Sequence, residues 1–553
     1  MAGRLSFLKL FLLSTLLLVI QSCSQNSAPA KLPKSTRYED LTALFEQWRA
    51  FERPQFIAGV PDYSAPAMAR QQRELAEYQR RLANIAPSAW PVAQRVDYEL
   101  VRAEMNGLDF DQRVRRPWSR NPAFYKFVFP DQSDTPAREG PVIHGAIDLW
   151  TYPLPLAQAH VIELTARIGA IPKLLQQAQN NLVENARDLW VTGIPVMKQQ
   201  SEELNEFAQN AASAHAELAN AIQAAREATD AFCAWLEKEA PKKNGPSGVG
   251  IENYNWYLQH VHLVPYTWQD LVTIMHRELA RAHAALRLEE HRNRKLPKLE
   301  PIANAQEFDR RMNAAVTEYM AFLNEQEIVS LRDYMDHALR ERLGKFSPAQ
   351  NGRRAFFHEV NYRDAVVMRT HGYHWFDLAR MQREPHASPI RRGPSLYNIF
   401  DSRAEGLATG MEEMMMHAGL FDQRPQAREL IWIMLAQRAA RALGDLNMHA
   451  NRATIDEASK FASEWTPRGW LPVDSDLVRF EQHLYLEQPT YGTSYVIGKI
   501  QIEQLLMERS AQLGEQFTLK RFMDELNAAG VIPVSLIRWE MTGNAAPLFD
   551  SGS

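Results

Sequence analysis

The sequence predicts a mainly α-helical protein, a single large helical body with a central cleft. Apolar residues recur three and four positions apart through most of the chain, which is the spacing of one helix face. Residues 210–240 are so rich in Ala, Glu and Gln that they read as one long helix. Strand-like alternation is scarce, and no repeat of fixed period is visible. Of the 553 residues, 45% are hydrophobic and 23% charged, the balance of a globular protein with a substantial core. The net charge of -4 leaves no basic footprint for nucleic acid, so no nucleic-acid partner is expected.

The chain opens with Arg4 and Lys9, then the apolar run 10–20, then Gln21-Ser22-Cys23. A short basic region, an apolar stretch and a small residue make a signal peptide over residues 1–22. The run is too short for a comfortable membrane-spanning helix, which needs about 20 apolar residues. Ile20 to Cys23 resembles a bacterial lipobox with an atypical Gln21. That resemblance implies cleavage before Cys23, lipidation of Cys23, and a membrane-anchored lipoprotein of the bacterial cell envelope facing the periplasm. Residues 23–35 then form a tether, and 36–550 a helical domain. With Cys23 lipidated, Cys233 is the one cysteine left and no internal disulfide forms. Lying between Phe232 and Trp235, it reads as a small buried hydrophobe.

Within 36–550, Leu41, Leu44, Phe45 and Trp48 mark a first amphipathic helix, and Leu75, Tyr78 and Leu82 a second. Pro91 suits the start of a helix over 90–111, with Val92, Val96, Leu100 and Ala103 on one face. Turns follow around 117–130. Residues 156–240 favour helix, with Pro172 and Pro195 as breaks or kinks. Gly and Pro fill half of 241–250, a surface loop. Two amphipathic helices are expected over 267–292 and 305–336, the first opened by Thr267 with Asp270 three residues on.

The chemistry concentrates in residues 368–413. His371 and His374 lie three apart, where a helix would place both imidazoles on one face. Arg391-Arg392 follows, then Glu405-Gly406 opens a helix that also carries Glu412 and Glu413. Two further segments join it. A helix over 438–449 brings Arg438, Arg441, Asp445 and His449 near one another, and 489–499 is an irregular segment with two tyrosines. A His-bearing helix followed about thirty residues later by a Glu-bearing one is how many zinc peptidases hold their metal.

Taken in order, these motifs resemble the bacterial family called domain of unknown function 885, a zinc-peptidase-like group. The chain supplies His374, Arg391-Arg392, Glu405-Gly406 with Ala408 and Glu412, then Arg438/Arg441/Asp445/His449 and Pro489/Tyr495/Gly498. Where the family has H-E-x-x-P-G-H, the first His falls on Met368 and the Glu on Arg369. Met is a poor zinc ligand, and Arg cannot take a proton from water. The resemblance implies zinc as cofactor, with His374 and Glu405 at two of its ligand places. His371, three residues before His374, would complete a set of His371, His374 and Glu405 by helical spacing, with an affinity that falls as pH drops through the histidine range. With no Glu in the H-E position, Glu412 or Glu413 of the neighbouring helix would activate the water. The resemblance implies that His449 and Tyr495 steady an oxyanion, and Arg391, Arg392 and Arg441 are the candidates for holding a peptide-like small substrate or ligand.

Each residue has a plainer reading. Arg391-Arg392 would pair with Asp401 or Glu405, His449 would sit in a satisfied buried network with Asp445, and Met414–Met416 would be helix core. His358-Glu359 is an incidental match to the first half of the zinc motif. No G-x-S-x-G elbow or phosphate-cradling Gly loop is present, so serine-hydrolase and nucleotide-dependent functions have no support. Two functions remain: a metal-dependent hydrolase acting on peptides, or a catalytically inactive relative that binds peptide or envelope fragments in the same cleft.

Overall fold

The computed structural model describes residues 34–212 and 215–545, so Cys23 and its apolar run lie outside the described residues. The described chain is helical almost throughout. Helices α1 (Tyr38–Phe51), α2 (Ala65–Ala83) and α3 (Val92–Phe110) come first, and a two-residue hairpin, Phe56–Ile57 against Val60–Pro61, separates α1 from α2. Pro91 caps α3 from outside, where its missing N–H costs nothing. The short α4 (Pro117–Arg120) and a parallel pair, Val128–Phe129 with Ile147–Asp148, follow. Between those two strands runs the loop 130–146.

Helices α5 (Gln158–Ile168), α6 (Ile171–Asn181), α7 (Arg187–Phe207) and α8 (Ala216–Glu239) occupy the region expected to be helical over 156–240. Pro172 lies in the first turn of α6, whereas Pro195 sits inside α7, which continues through it. Beyond the loop after α8 come α9 (Ile251–His260) and α10 (Trp268–Asn293). Thr267 and Asp270 form a reciprocal capping box at the start of α10.

The helix expected over 305–336 is two helices, α11 (Ala305–Glu325) and α12 (Asp333–Arg340). Glu327, at φ 48°, turns the backbone left-handed and ends the first. The chain then runs through α13 (Phe356–Arg363), α14 (Ala365–His371), α15 (Tyr373–Arg383), α16 (Asp401–His417), α17 (Ala427–His449), α18 (Ile455–Trp465), α19 (Asp476–Glu487), α20 (Tyr491–Leu513), α21 (Leu519–Ala528) and α22 (Val534–Thr542). The segment 489–499, expected to be irregular, enters α20 two residues after Pro489. Its Gly, Tyr and β-branched residues are weak helix formers, and tertiary packing overrides that preference.

Apolar side chains gather into two cores. The larger unites α1, α3, α9–α17 and α20–α22, from Leu41 to Trp539. The smaller is built on Val60, Tyr63, Trp190, Phe232 and their neighbours, and takes Tyr485, Leu486 and Tyr491 from the C-terminal half. Cys233 is buried in it. A cavity of about 410 Å³ opens between the cores, lined by Arg49, Tyr63, Phe129, Arg138, Tyr397 and Gln488 among others.

The tightest helix crossing joins α16 to α20 through two glycines. A Cβ on Gly498 would collide with the Ser402 carbonyl and the Gly406 Cα, and a Cβ on Gly406 with the Gly498 backbone. Substitution there forces the helices apart, an overpacking cost of about 3 kcal/mol. Gly498→Ala should therefore lower the urea midpoint well below that of Gly393→Ala, whose Cβ meets nothing within 4 Å. Equal midpoints for the two variants would show that the crossing tolerates a side chain.

Candidate metal centre

Gly372 decides how the two histidines are presented. His371 ends α14 and Tyr373 begins α15, so the imidazoles flank a helix break and do not share one continuous face. A Cβ on Gly372 would come within 2.8 Å of Leu339 Cδ2. The two rings meet edge to face, with centroids 5.1 Å apart. Opposite them lies α16, where Glu405 and Glu412 are seven residues apart and so on one face.

Each histidine takes one of those carboxylates. His371 Nδ1 is 3.0 Å from Glu412 Oε1, and His374 Nε2 is 3.3 Å from Glu405 Oε2. Ligand atoms of His371, His374 and Glu405 all lie within 4.8 Å of one another. Zinc with nitrogen and oxygen ligands at about 2.1 Å needs donors about 3.5 Å apart, so side-chain shifts of about 1 Å close the set.

Two features suit these residues to a metal. His371 Nδ1 is engaged by Glu412 and by Arg438 Nη2 at 3.2 Å, which leaves Nε2 as its nitrogen for a metal, as in the arrangement where a carboxylate orients a metal-binding imidazole. Glu412 is itself gripped by Arg438, whose two terminal nitrogens each lie 2.7 Å from a carboxylate oxygen. The second feature is His374. It is only 3% exposed, and its Nε2 has no hydrogen-bond partner although it faces Glu405. Burial opposes a charge on His374, but Glu405, with Asp134 behind it, outweighs burial and raises the imidazole well above its ordinary value. Burial alone would raise Glu405, yet His374 and then His371 carry it below the usual carboxylate range. Tyr491 donates a 2.5 Å hydrogen bond to Glu405 Oε1. Burial and the Glu405 charge push the Tyr491 and Tyr495 hydroxyls well up, so both stay protonated donors.

The other candidate residues go to varied places. Tyr495 lies edge-on to Tyr491, beneath the guanidinium groups of Arg438 and Arg441 at 5.9 and 5.4 Å. Arg441 is buried and paired with Glu481. His449 is fully buried; its Nε2 is 2.9 Å from the Tyr485 carbonyl and its Nδ1 accepts from Val249 N–H, so neither nitrogen is left for an oxyanion. Asp445 lies 3.6 Å from it, close against Gly492 at the start of α20. Arg391 pairs with Asp97 and Glu540, not with Asp401 or Glu405, and Arg392 is exposed beside it. Both line a second cavity of about 410 Å³ with Arg332 and Arg380. Glu413 is tied to Arg281 and Lys499. His358 stacks on Tyr362 and Glu359 pairs with Arg363.

Arg369 is buried and reaches Asn361 Oδ1 at 3.3 Å, with no carboxylate partner among the described residues. Burial pushes its guanidinium down to about 10, still charged at neutral pH.

Residues 56–365 and 374–541 match the family described as "Bacterial protein of unknown function (DUF885)". The chain belongs to that family. The match breaks between 365 and 374, the stretch that holds Met368, Arg369 and His371. Two solved proteins share the fold. One, a "putative lipoprotein of unknown function" from Shewanella oneidensis, is 15% identical with a TM-score of 0.66, over 92% of this chain and 100% of that one. The other, a "putative lipoprotein" from Colwellia psychrerythraea, is 14% identical with a TM-score of 0.60, over 92% and 97%. No curated protein matches the chain.

Sequence reasoning missed three acidic-site neighbours: Tyr491 and, on the loop 130–146, Asp134 and Glu139. These two carboxylates form a second set with Glu405, again within 4.8 Å of one another. Their spacing carries no signal, because a loop far upstream in sequence delivers them.

Burial holds the His449 imidazole down at about 4, so it is neutral in the fold and charges more readily once unfolded. A depressed histidine contributes stability above its unfolded value of about 6.5 and loses it as pH falls towards about 4. Between pH 7 and pH 5 this site should cost on the order of 2 kcal/mol. Urea unfolding at the two pH values should show a smaller acid loss in His449→Gln than in the unsubstituted protein. An identical loss would mean that His449 is not held neutral.

Proposed function

We propose that this chain is a cell-envelope lipoprotein, anchored through Cys23 and facing the periplasm, with a zinc centre at His371, His374 and Glu405 that serves hydrolysis of a peptide-like substrate. The observation that carries the reading is the convergence of two imidazoles and a carboxylate, with His371 oriented by Glu412 and His374 Nε2 buried without a hydrogen bond. The order of residues before Cys23 and the names of the two solved relatives support the lipoprotein half.

A zinc ion held there supplies Lewis acidity towards a substrate carbonyl. The chain's own groups do the positioning. Arg438 fixes Glu412, the two together hold the His371 ring through Nδ1, and Tyr491 steadies Glu405. Tyr495 is the donor available to a developing oxyanion, with the Arg441 guanidinium over its ring. In this reading Glu412 orients a ligand, because Arg438 and His371 already occupy its oxygens.

One observation favours the inactive alternative. The family's base position holds Arg369, and Glu412 is locked, so neither takes a proton from water at that place. In that case the same site would bind a peptide-like ligand without turnover.

Elemental analysis of the purified full-length protein separates these outcomes. The reading expects stoichiometric zinc that His374→Ala loses, together with hydrolysis of a peptide mixture. Zinc without hydrolysis supports the binding reading, and an unsubstituted protein that takes up no zinc removes the centre altogether. For the anchor, Cys23→Ser should shift the protein from the membrane fraction to the soluble one. Unchanged acylation would overturn it.

A further inference from the structure

Glu405 belongs to two donor sets at once. On one side stand His371 and His374; on the other stand Asp134 and Glu139 from the loop 130–146. The atoms of each set lie within 4.8 Å of one another, and the sets share only Glu405. A single ion needs all its donors at about 2–2.5 Å, hence within about 5 Å of one another, and the five residues do not form one such group. We propose that the protein holds two cations, with Glu405 bridging a zinc on the imidazole side and a second divalent ion on the loop carboxylates. This inference rests on the metal centre proposed above.

Three observations support the second site. The loop is built, not free. Gly140 N–H donates to Gln488 Oε1 at 2.6 Å, Asn398 Nδ2 donates to the Arg138 carbonyl, and Ser133 Oγ donates to Glu139 Oε2 at 3.0 Å. The base beside these carboxylates turns away: Arg138 goes to Asp148 and the Asp131 carbonyl. Buried His374, whose Nε2 makes no hydrogen bond, points at the shared carboxylate. Three carboxylates so close, Glu405 buried and Asp134 and Glu139 part-buried, repel one another, and a cation between them relieves that repulsion.

The donor chemistry tells the two ions apart. Two imidazoles and one carboxylate suit zinc, whereas three carboxylates suit a harder ion such as manganese, magnesium or calcium. Two-metal hydrolytic centres place their ions about 4 Å apart, a span that one bridging carboxylate covers. Asp134 and Glu139 would thus furnish acidic ligands that the Met368–His374 stretch does not.

The test is ion stoichiometry, read by native mass spectrometry and elemental analysis of the full-length protein. Chelated protein is reloaded with zinc, then with manganese. The expected result is two ions per chain, falling to one zinc in Asp134→Asn/Glu139→Gln, with circular dichroism unchanged. One ion per chain, retained by the double variant, overturns the second site and leaves the zinc centre standing. Two ions retained by the double variant overturn its assignment to the loop. No ion in the unsubstituted protein overturns both sites.

Discussion

The α16–α20 crossing is the constraint on which the rest of the centre depends. Gly406 and Gly498 let the two helix backbones touch, and no other residue leaves room for that approach. Because the crossing lies one residue from Glu405, it delivers that carboxylate to the first turn of α20, where Tyr491 meets it. Tyr491 belongs to the smaller core and Glu405 to a helix of the larger, so the crossing also fixes the cores against each other at the centre. A backbone contact of this kind gains dispersion energy over its whole length and allows little drift.

Around it, buried charge is arranged in chains rather than in isolated pairs. Arg438, Glu412 and His371 form one chain, and Tyr491, Glu405 and His374 form the next. A desolvated charge is tolerated only where partners surround it, so each link constrains the orientation of the next. This accounts for the different fates of three arginines that look alike in sequence. Arg438 grips Glu412 beside His371, Arg441 stacks on Tyr495 and pairs with Glu481, and Arg391 closes a separate network with Asp97 and Glu540.

The family match and the solved relatives describe a shared helical body, while the break at 366–373 falls on the segment that carries His371. Here the helix itself breaks at Gly372, and the two imidazoles approach α16 from different helices. Acidic side chains from the loop 130–146 stand on the opposite side of the same carboxylate.

By itself the sequence determined the helical class, the Thr267–Asp270 cap and the start of α3 after Pro91, and it nominated His371, His374 and Glu405, which the fold brings within reach of one another. Those features are written locally, in the spacing of apolar residues, in cap chemistry and in ordered motifs. Only the tertiary structure decided what those residues touch. It ended α11 at a left-handed Glu327, made 491–513 helical against weak propensity, and turned both nitrogens of His449 to the backbone. It also brought Asp134 and Glu139 to Glu405. Such contacts depend on how closely distant backbones pack, and in this chain two glycines set that closeness without leaving a periodic signal.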